Sequence, residues 1–157
     1  MSFESVKRYF EEKGMGERVM ALEHNSGTVE LAAQAIGCEP RQIAKTLSFL
    51  VDGKPVLIVA AGDAKVDNKK FKEVFHTKAK MIQFDEVEGY VGHAPGGVCP
   101  FVVSEETSVY LDESLKRFER VYPAAGNDHS AVDLSIEELE ACVDNPGWID
   151  VCKGWNE

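Results

Sequence analysis

The chain has 157 residues, of which 44% are hydrophobic, 28% charged and 9% aromatic. This is the make-up of a globular chain with room for one core, read as a single domain over residues 1–157. The longest apolar run, Pro55–Ala61, is far shorter than the roughly 18 residues of a membrane span. The opening residues MSFESVKR contain no apolar h-region, so no signal peptide is expected, and no membrane is expected as a partner. Four cysteines (Cys38, Cys99, Cys142, Cys152) are too sparse for a disulfide framework and too scattered for a zinc knuckle. A reducing cytoplasm is the expected location. The net charge of −10 argues against a general nucleic-acid binder. Its distribution is uneven: residues 41–80 hold nine Lys and Arg against four acids, whereas residues 81–157 hold four against sixteen. Such a cationic middle is either a solvated helix face or a steering patch for one phosphate-bearing ligand.

In chain order, Phe3, Val6 and Phe10 fall at helical spacing and predict a first helix ending near Gly14. A second helix opens on Ser26 or Thr28 as cap, buries Val29, Ala32, Ala33 and Ile36, and stops at Gly37. A helical turn is expected from Pro40 to Ala44. Leu47, Phe49 and Val51 then alternate with polar neighbours as a strand. Asp52-Gly53-Lys54 turns the chain, and Val56–Ala61 returns as a strand covered on both faces. Asp67 caps a third helix with Phe71, Val74 and Phe75 inward and Lys69, Lys70, Lys72 and Lys78 outward or near its end. Met81-Ile82 reads as a short strand and Phe84–Tyr90 as a helix. The segment Gly92–Phe101 (GHAPGGVCPF) holds too many Gly and Pro for helix or central strand. Short strands follow at Val102-Val103, Val109–Leu111 and Arg120–Tyr122. A last helix opens with the capping box Ser135/Glu138 and buries Ile136, Leu139 and Val143. The expected fold class is α+β, with a mixed, mostly antiparallel, barrel-like sheet flanked by helices.

Two features could carry chemistry. Lys45 places a cation at the end of an apolar strand face, where lysine either snorkels to water or orients an ester, a phosphate or an oxyanion. The loop Gly96-Gly97-Val98-Cys99-Pro100 offers four backbone N–H groups, either as an ordinary turn or as a cradle for a carbonyl oxygen gaining charge. It is neither a Walker loop nor a dinucleotide fingerprint. Cys99 with His93, His129 or His76 could form a nucleophile pair. No metal site is expected, because His24, His76, His93 and His129 lack ligand spacing.

Five stretches together resemble the YbaK/prolyl-tRNA synthetase-associated domain family of aminoacyl-tRNA deacylases. They are TVELAAQAIG from Thr28, QIAKTLSF from Gln42, GKPVLIVAAG from Gly53, the helix after Asp67, and GYVGHAPGGVCPF from Gly89. Val109–Leu115 and Ala125-Gly126-Asn127 follow in the same order, so the likeness spans about residues 20–140. It implies an α+β fold and hydrolysis, in trans, of the ester joining a wrong small amino acid to tRNA, usually tRNA(Pro). By the motif match, Lys45 stands where the family's essential lysine stands, and Gly96, Gly97, Val98, Cys99 and Pro100 supply its carbonyl-positioning loop. The attack is implied to use a hydroxyl of the terminal ribose or water, with no metal or other cofactor. Cys99 then becomes a loop residue, where relatives often carry serine. Thr46, Asn127 and His129 fall to substrate binding, and Lys69, Lys70 and Lys72 to the tRNA phosphates. The implied partners are the acceptor end of a mischarged tRNA and prolyl-tRNA synthetase. Two departures stand out: Phe101 is followed by Val102 where the family loop commonly reads PFG, and Asn127–Ser130 (NDHS) departs from the subfamily patterns. A non-catalytic tRNA- or synthetase-binding module of the same fold is the competing reading, and an ester or amide hydrolase using Cys99 a third.

Overall fold

The computed structural model of the chain describes residues 2–143 and 146–155. Helix α1 (Ser2–Glu12) places Val6 and Phe10, one helical turn apart, fully in the core. A 3-10 turn at Gly16–Arg18 leads into β1 (Val19–Ala21), a strand without readable periodicity. Helix α2 (Val29–Ile36) starts on Thr28, whose hydroxyl accepts from the Leu31 N–H, and stops at Gly37 in the left-handed conformation. A 3-10 turn at Pro40–Gln42 ends sooner than expected: Ile43 and Ala44 are already buried members of β2 (Ile43–Val51). β2 forms a hairpin with β3 (Lys54–Ala61), and Lys45 stands opposite Ala60. β3 is buried from Pro55 onward, as its unbroken apolar run requires.

β4 (Lys65–Val66) precedes α3 (Asn68–Phe75), which Asp67 caps by accepting from the Lys69 N–H. Phe71 is fully buried and its ring lies 4.6 Å from that of Phe75. These two, four residues apart, define the buried stripe, so Val74 falls on the exposed flank and not inward as expected. Met81 makes only an isolated bridge to Phe49. Helix α4 (Val87–Val91) begins three residues after Phe84, which stays outside it. The expected strand at Val102-Val103 is absent. Val102 has φ +52°, a left-handed conformation that breaks an extended run, while Phe101 is buried 4.9 Å from the Phe10 ring.

The remaining elements are β5 (Ser108–Asp112), a 3-10 turn at Glu113–Arg117, β6 (Arg120–Pro123), β7 (Ser130–Val132), β8 (Leu134–Ser135), α5 (Ile136–Cys142), β9 (Gly147–Ile149) and β10 (Cys152–Lys153). The α5 capping box forms as expected, with Ser135 and Glu138 bonding each other's backbone N–H. Six strands make one mixed sheet in the order β8-β6-β2-β3-β5-β9, curled into a half-barrel and flanked by helices. The β2–β3 and β6–β8 pairs are antiparallel, whereas β2–β6, β3–β5 and β5–β9 are parallel. Two antiparallel two-stranded ladders, β1–β7 and β4–β10, complete the strands. A parallel β3–β5 pair needs a long crossover. Residues 62–107 make it and carry α3, α4 and the glycine-rich loop; within them residues 80–82 bond to β2 along the stretch that β6 leaves unpaired.

Candidate active site

Lys45 is the third residue of β2, and its half-buried side chain runs to the turn that follows β3. There Nζ donates to the carbonyl oxygens of Ala64 and of Gly62, the latter at 3.4 Å. An ammonium has three N–H donors, so two fix its direction and one is left over. Burial lowers the pKa of Lys45, and the nearby Cys152 and Asp63 oppose that shift. Two carbonyl acceptors likewise favour the charged form. The turn itself is closely packed and hydrogen-bonded. A Cβ on Gly62 would lie 2.0 Å from the Pro40 carbonyl oxygen and 2.8 Å from Val29 Cγ1, so only glycine lets β3 end there. Asp63 is gripped by both terminal nitrogens of Arg117 at 2.6 and 3.0 Å. The Ala61 N–H donates to Ser114 Oγ at 3.1 Å.

Across the cavity stands the glycine-rich loop. Gly96 is left-handed (φ +89°), and the Gly97 N–H closes a turn onto the Ala94 carbonyl at 3.0 Å. The N–H groups of Gly96 and Val98 take no acceptor among the described residues. Gly97 is pressed on the Gly126-Asn127 backbone, where a Cβ would come within 2.5 Å of Asn127 Cα. Residues 25–28 and 127–130 lace together beneath the loop: the Ser26 N–H donates to the Asp128 carbonyl (2.6 Å), and the Ser130 N–H to Ser26 Oγ (3.2 Å).

Lys45, Thr46, Gly96 and Val98 all line one cavity of about 500 Å³, within the size range of small-molecule sites. Val29, Ile43, Leu47, Ile82 and Val87 make its walls apolar, and Ser26 and Ser130 contribute hydroxyls. The hydroxyl of Thr46 is buried with no hydrogen-bond partner among the described residues. No carboxylate, imidazole or thiol belongs to the described lining. Neither Ser26, legible only as a helix-cap candidate, nor Ser130, at the start of β7, is marked as a site residue by the sequence, because an isolated serine carries no periodic signal.

The other expected site residues lie elsewhere. Gly97 and Asn127 line a second cavity of about 700 Å³ behind the loop, and Pro100 lines a third. His129 is exposed and its Nδ1 lies 2.6 Å from Asp128 Oδ1, outside the first cavity. Lys69, Lys70 and Lys72 sit on α3 and line none of the three cavities. Lys70 is occupied, donating to Asp150 Oδ1 (3.0 Å) and to the Cys152 carbonyl (2.9 Å). Cys99 is fully buried, and desolvation pushes its thiol up to about 12. His93 Nε2 lies 3.5 Å from the sulfur but 2.7 Å from the Phe101 carbonyl oxygen. A carbonyl only accepts, so Nε2 carries the proton and cannot take one from the thiol. A Cys99–His93 nucleophile pair, one of the alternatives open from the sequence, is therefore not formed. Of the other proposed partners, His129 is exposed, whereas Cys99 is wholly enclosed. Among the described residues, no three His, Cys, Asp or Glu gather to hold a metal ion, and no helix is long and apolar enough to cross a membrane.

A half-barrel of this topology, with a lysine and a glycine-rich loop walling one cavity, is the frame of an aminoacyl-tRNA editing domain. Residues 23–142 match the model of that family, and the chain belongs to it. It is 48% identical over 156 residues to the uncharacterized protein YwhH of Bacillus subtilis (strain 168), covering 99% of each chain. It is 28% identical over 115 residues to EbsC of Enterococcus faecalis (strain ATCC 700802 / V583), named as a candidate Cys-tRNA(Pro)/Cys-tRNA(Cys) deacylase, covering 71% of this chain and 70% of that one. The same identity over 105 residues relates it to the proline–tRNA ligase of Staphylococcus aureus (strain Newman), where the match spans 66% of this chain but only 18% of the ligase. Among solved structures, a candidate trans-editing enzyme for prolyl-tRNA synthetase superposes with a TM-score of 0.86 at 28% identity, covering 98% of both chains.

Proposed function

We propose that this chain is a trans-editing deacylase that hydrolyses the ester joining a small, wrongly attached amino acid to the 3′ end of tRNA, with tRNA(Pro) the foremost substrate. The supporting observation is that Lys45 and the loop residues Gly96 and Val98, remote in sequence, wall the same apolar cavity. The N–H groups of Gly96 and Val98 receive the ester carbonyl oxygen and stabilise the charge it gains; one such donor is typically worth about 2.7–4 kcal/mol. The third N–H of Lys45 is available to a substrate oxygen. Water, assisted by a neighbouring ribose hydroxyl, adds to the carbonyl carbon, and the bond from that carbon to the ester oxygen of the ribose breaks, which frees the amino acid. The ribose oxygen takes a proton. With no carboxylate, imidazole or thiol in the described lining, the proton acceptor is supplied by substrate or solvent. Thr46 lines the part of the cavity that receives the amino acid. Small apolar walls distinguish one methylene by only about 1–3 kcal/mol, which suits cysteine or alanine. The name of EbsC and the match to part of a proline–tRNA ligase point to tRNA(Pro) and its synthetase as partners. Lys69 and Lys72, with the neighbouring lysines, face the acceptor phosphates in a weak, salt-sensitive contact.

The test is a panel of mischarged tRNAs assayed at low salt with the wild type and Lys45→Ala, alongside thermal melts. The expected result is release of cysteine or alanine from tRNA(Pro), reduced at least about 100-fold in Lys45→Ala with the fold intact, the order of loss typical for one electrostatic donor. Absence of turnover on every mischarged tRNA would favour the non-catalytic module, and a fully active Lys45→Ala would remove the lysine from the site.

A further inference from the structure

The rim of the first cavity carries an aromatic side chain for which the chain itself has no use. Phe84 is 78% exposed and Met81 56%, yet both line the cavity. Their backbone is tethered on one side: the Leu50 N–H donates to the Lys80 carbonyl (2.8 Å) and the Ile82 N–H to the Ser48 carbonyl (3.0 Å), fixing residues 80–82 along the stretch of β2 that β6 leaves unpaired. On the other side α4 begins at Val87. Ile82 and Val87, each 5% exposed, are walls of the cavity. The short turn between them therefore holds Phe84 at the mouth, where a side chain can be both lining and largely in water.

We infer that Phe84 is the stacking platform for the terminal nucleobase of the tRNA whose ester enters this cavity. The inference rests on the proposed deacylase reading and extends it to a residue that positions the substrate. Its logic is covalent. The ester oxygen and the base hang on the same ribose, so an ester between Lys45 and Gly96 leaves the base one sugar away, at the mouth. A base there has an aromatic face to offer, and Phe84 supplies the complementary one. Stacking is tolerant of base identity and needs no hydrogen-bond partner. The adjacent side chains Gln83, Asp85 and Glu86 provide no cation, so this lip takes the flat base and not its phosphate.

The experiment uses an acceptor-stem minihelix with 2-aminopurine replacing the terminal adenine, and compares the wild type with Phe84→Ala and Phe84→Trp. Being so exposed, Phe84 can be truncated without loss of fold, which a melt verifies. The wild type is expected to quench the fluorophore, Phe84→Ala to abolish the quench, and Phe84→Trp to restore it. In deacylation, Phe84→Ala raises KM by roughly 5- to 150-fold, the equivalent of about 1–3 kcal/mol, with kcat within about threefold. An unchanged quench in Phe84→Ala, or a change confined to kcat, overturns the inference. The uncharged minihelix needs no turnover, so quenching by a protein that deacylates nothing leaves the platform standing and fails the deacylase reading. Turnover by the wild type with an indifferent Phe84→Ala fails the platform alone.

Discussion

Replacing Arg117 by Ala removes the clamp on the turn that aims Lys45. The guanidinium holds Asp63 through two bonds of 2.6 and 3.0 Å, and it also donates to the Trp155 and Ser114 carbonyls at 3.0 Å each. It lies 5.0 Å over the Trp155 ring and 4.7 Å over that of Phe118. Exposed ion pairs contribute about 0.2–1 kcal/mol. This one is bidentate and its side chains are 25% and 34% exposed, so about 1 kcal/mol is assigned to the pair. Lost bonds to carbonyls and lost stacking add about 1 kcal/mol more. Arg117→Ala therefore costs about 2 kcal/mol, or roughly 4–8 °C in Tm for a chain of this size. The pH dependence has a definite sign. The hydrogen bond from Arg117, foremost, holds the Asp63 carboxyl below its ordinary value. The pair's contribution is thus complete above the unfolded aspartate pKa of about 4 and vanishes as pH falls through the lower folded value. Thermal melts of the wild type, Arg117→Ala, Asp63→Asn and the double variant from pH 7 to pH 3 measure this directly. A coupling energy of about 1 kcal/mol is expected at pH 7, shrinking toward pH 3. Zero coupling at pH 7, or a coupling unchanged at pH 3, would refute the pairing as the cause. The same variants should deacylate more slowly, because the Gly62 and Ala64 carbonyls that direct Lys45 flank Asp63.

Cys99→Ser should keep kcat within about threefold of the wild type, since a fully enclosed thiol pushed up to about 12 supplies no thiolate at neutral pH; a loss beyond tenfold in a folded variant would return the sulfur to the mechanism. Val102 reverses an ordinary rule. Gly is usually less stable than Ala by roughly 0.5–1 kcal/mol, but a side chain in the left-handed region costs about 1–2 kcal/mol. At φ +52° and 45% exposure, Val102→Gly should therefore be the more stable of the two by about 0.5–1 kcal/mol in urea melts, and the usual order would show that the strain is not there.

Much of the local structure was readable because it is decided by neighbours in the chain. Thr28 and Gly37 bound α2, Asp67 caps α3, Ser135 and Glu138 close their box, and the alternation through Leu47 and Phe49 marks β2. The motifs around Lys45 and Gly96 also marked out the family by their order alone. Strands of two or three residues, such as β4 and β10, have no period to read and exist only because Cys152 pairs with Val66 across the fold. Only the tertiary structure brought Ser26 and Ser130 into the lysine's cavity, took Gly97, Cys99 and Pro100 out of it, and occupied Lys70 with Asp150. Helix caps and strand faces depend on contacts a few residues away, which a sequence displays. Which side of a packed loop faces a cavity depends on the parallel crossover from β3 to β5, whose direction no single segment encodes.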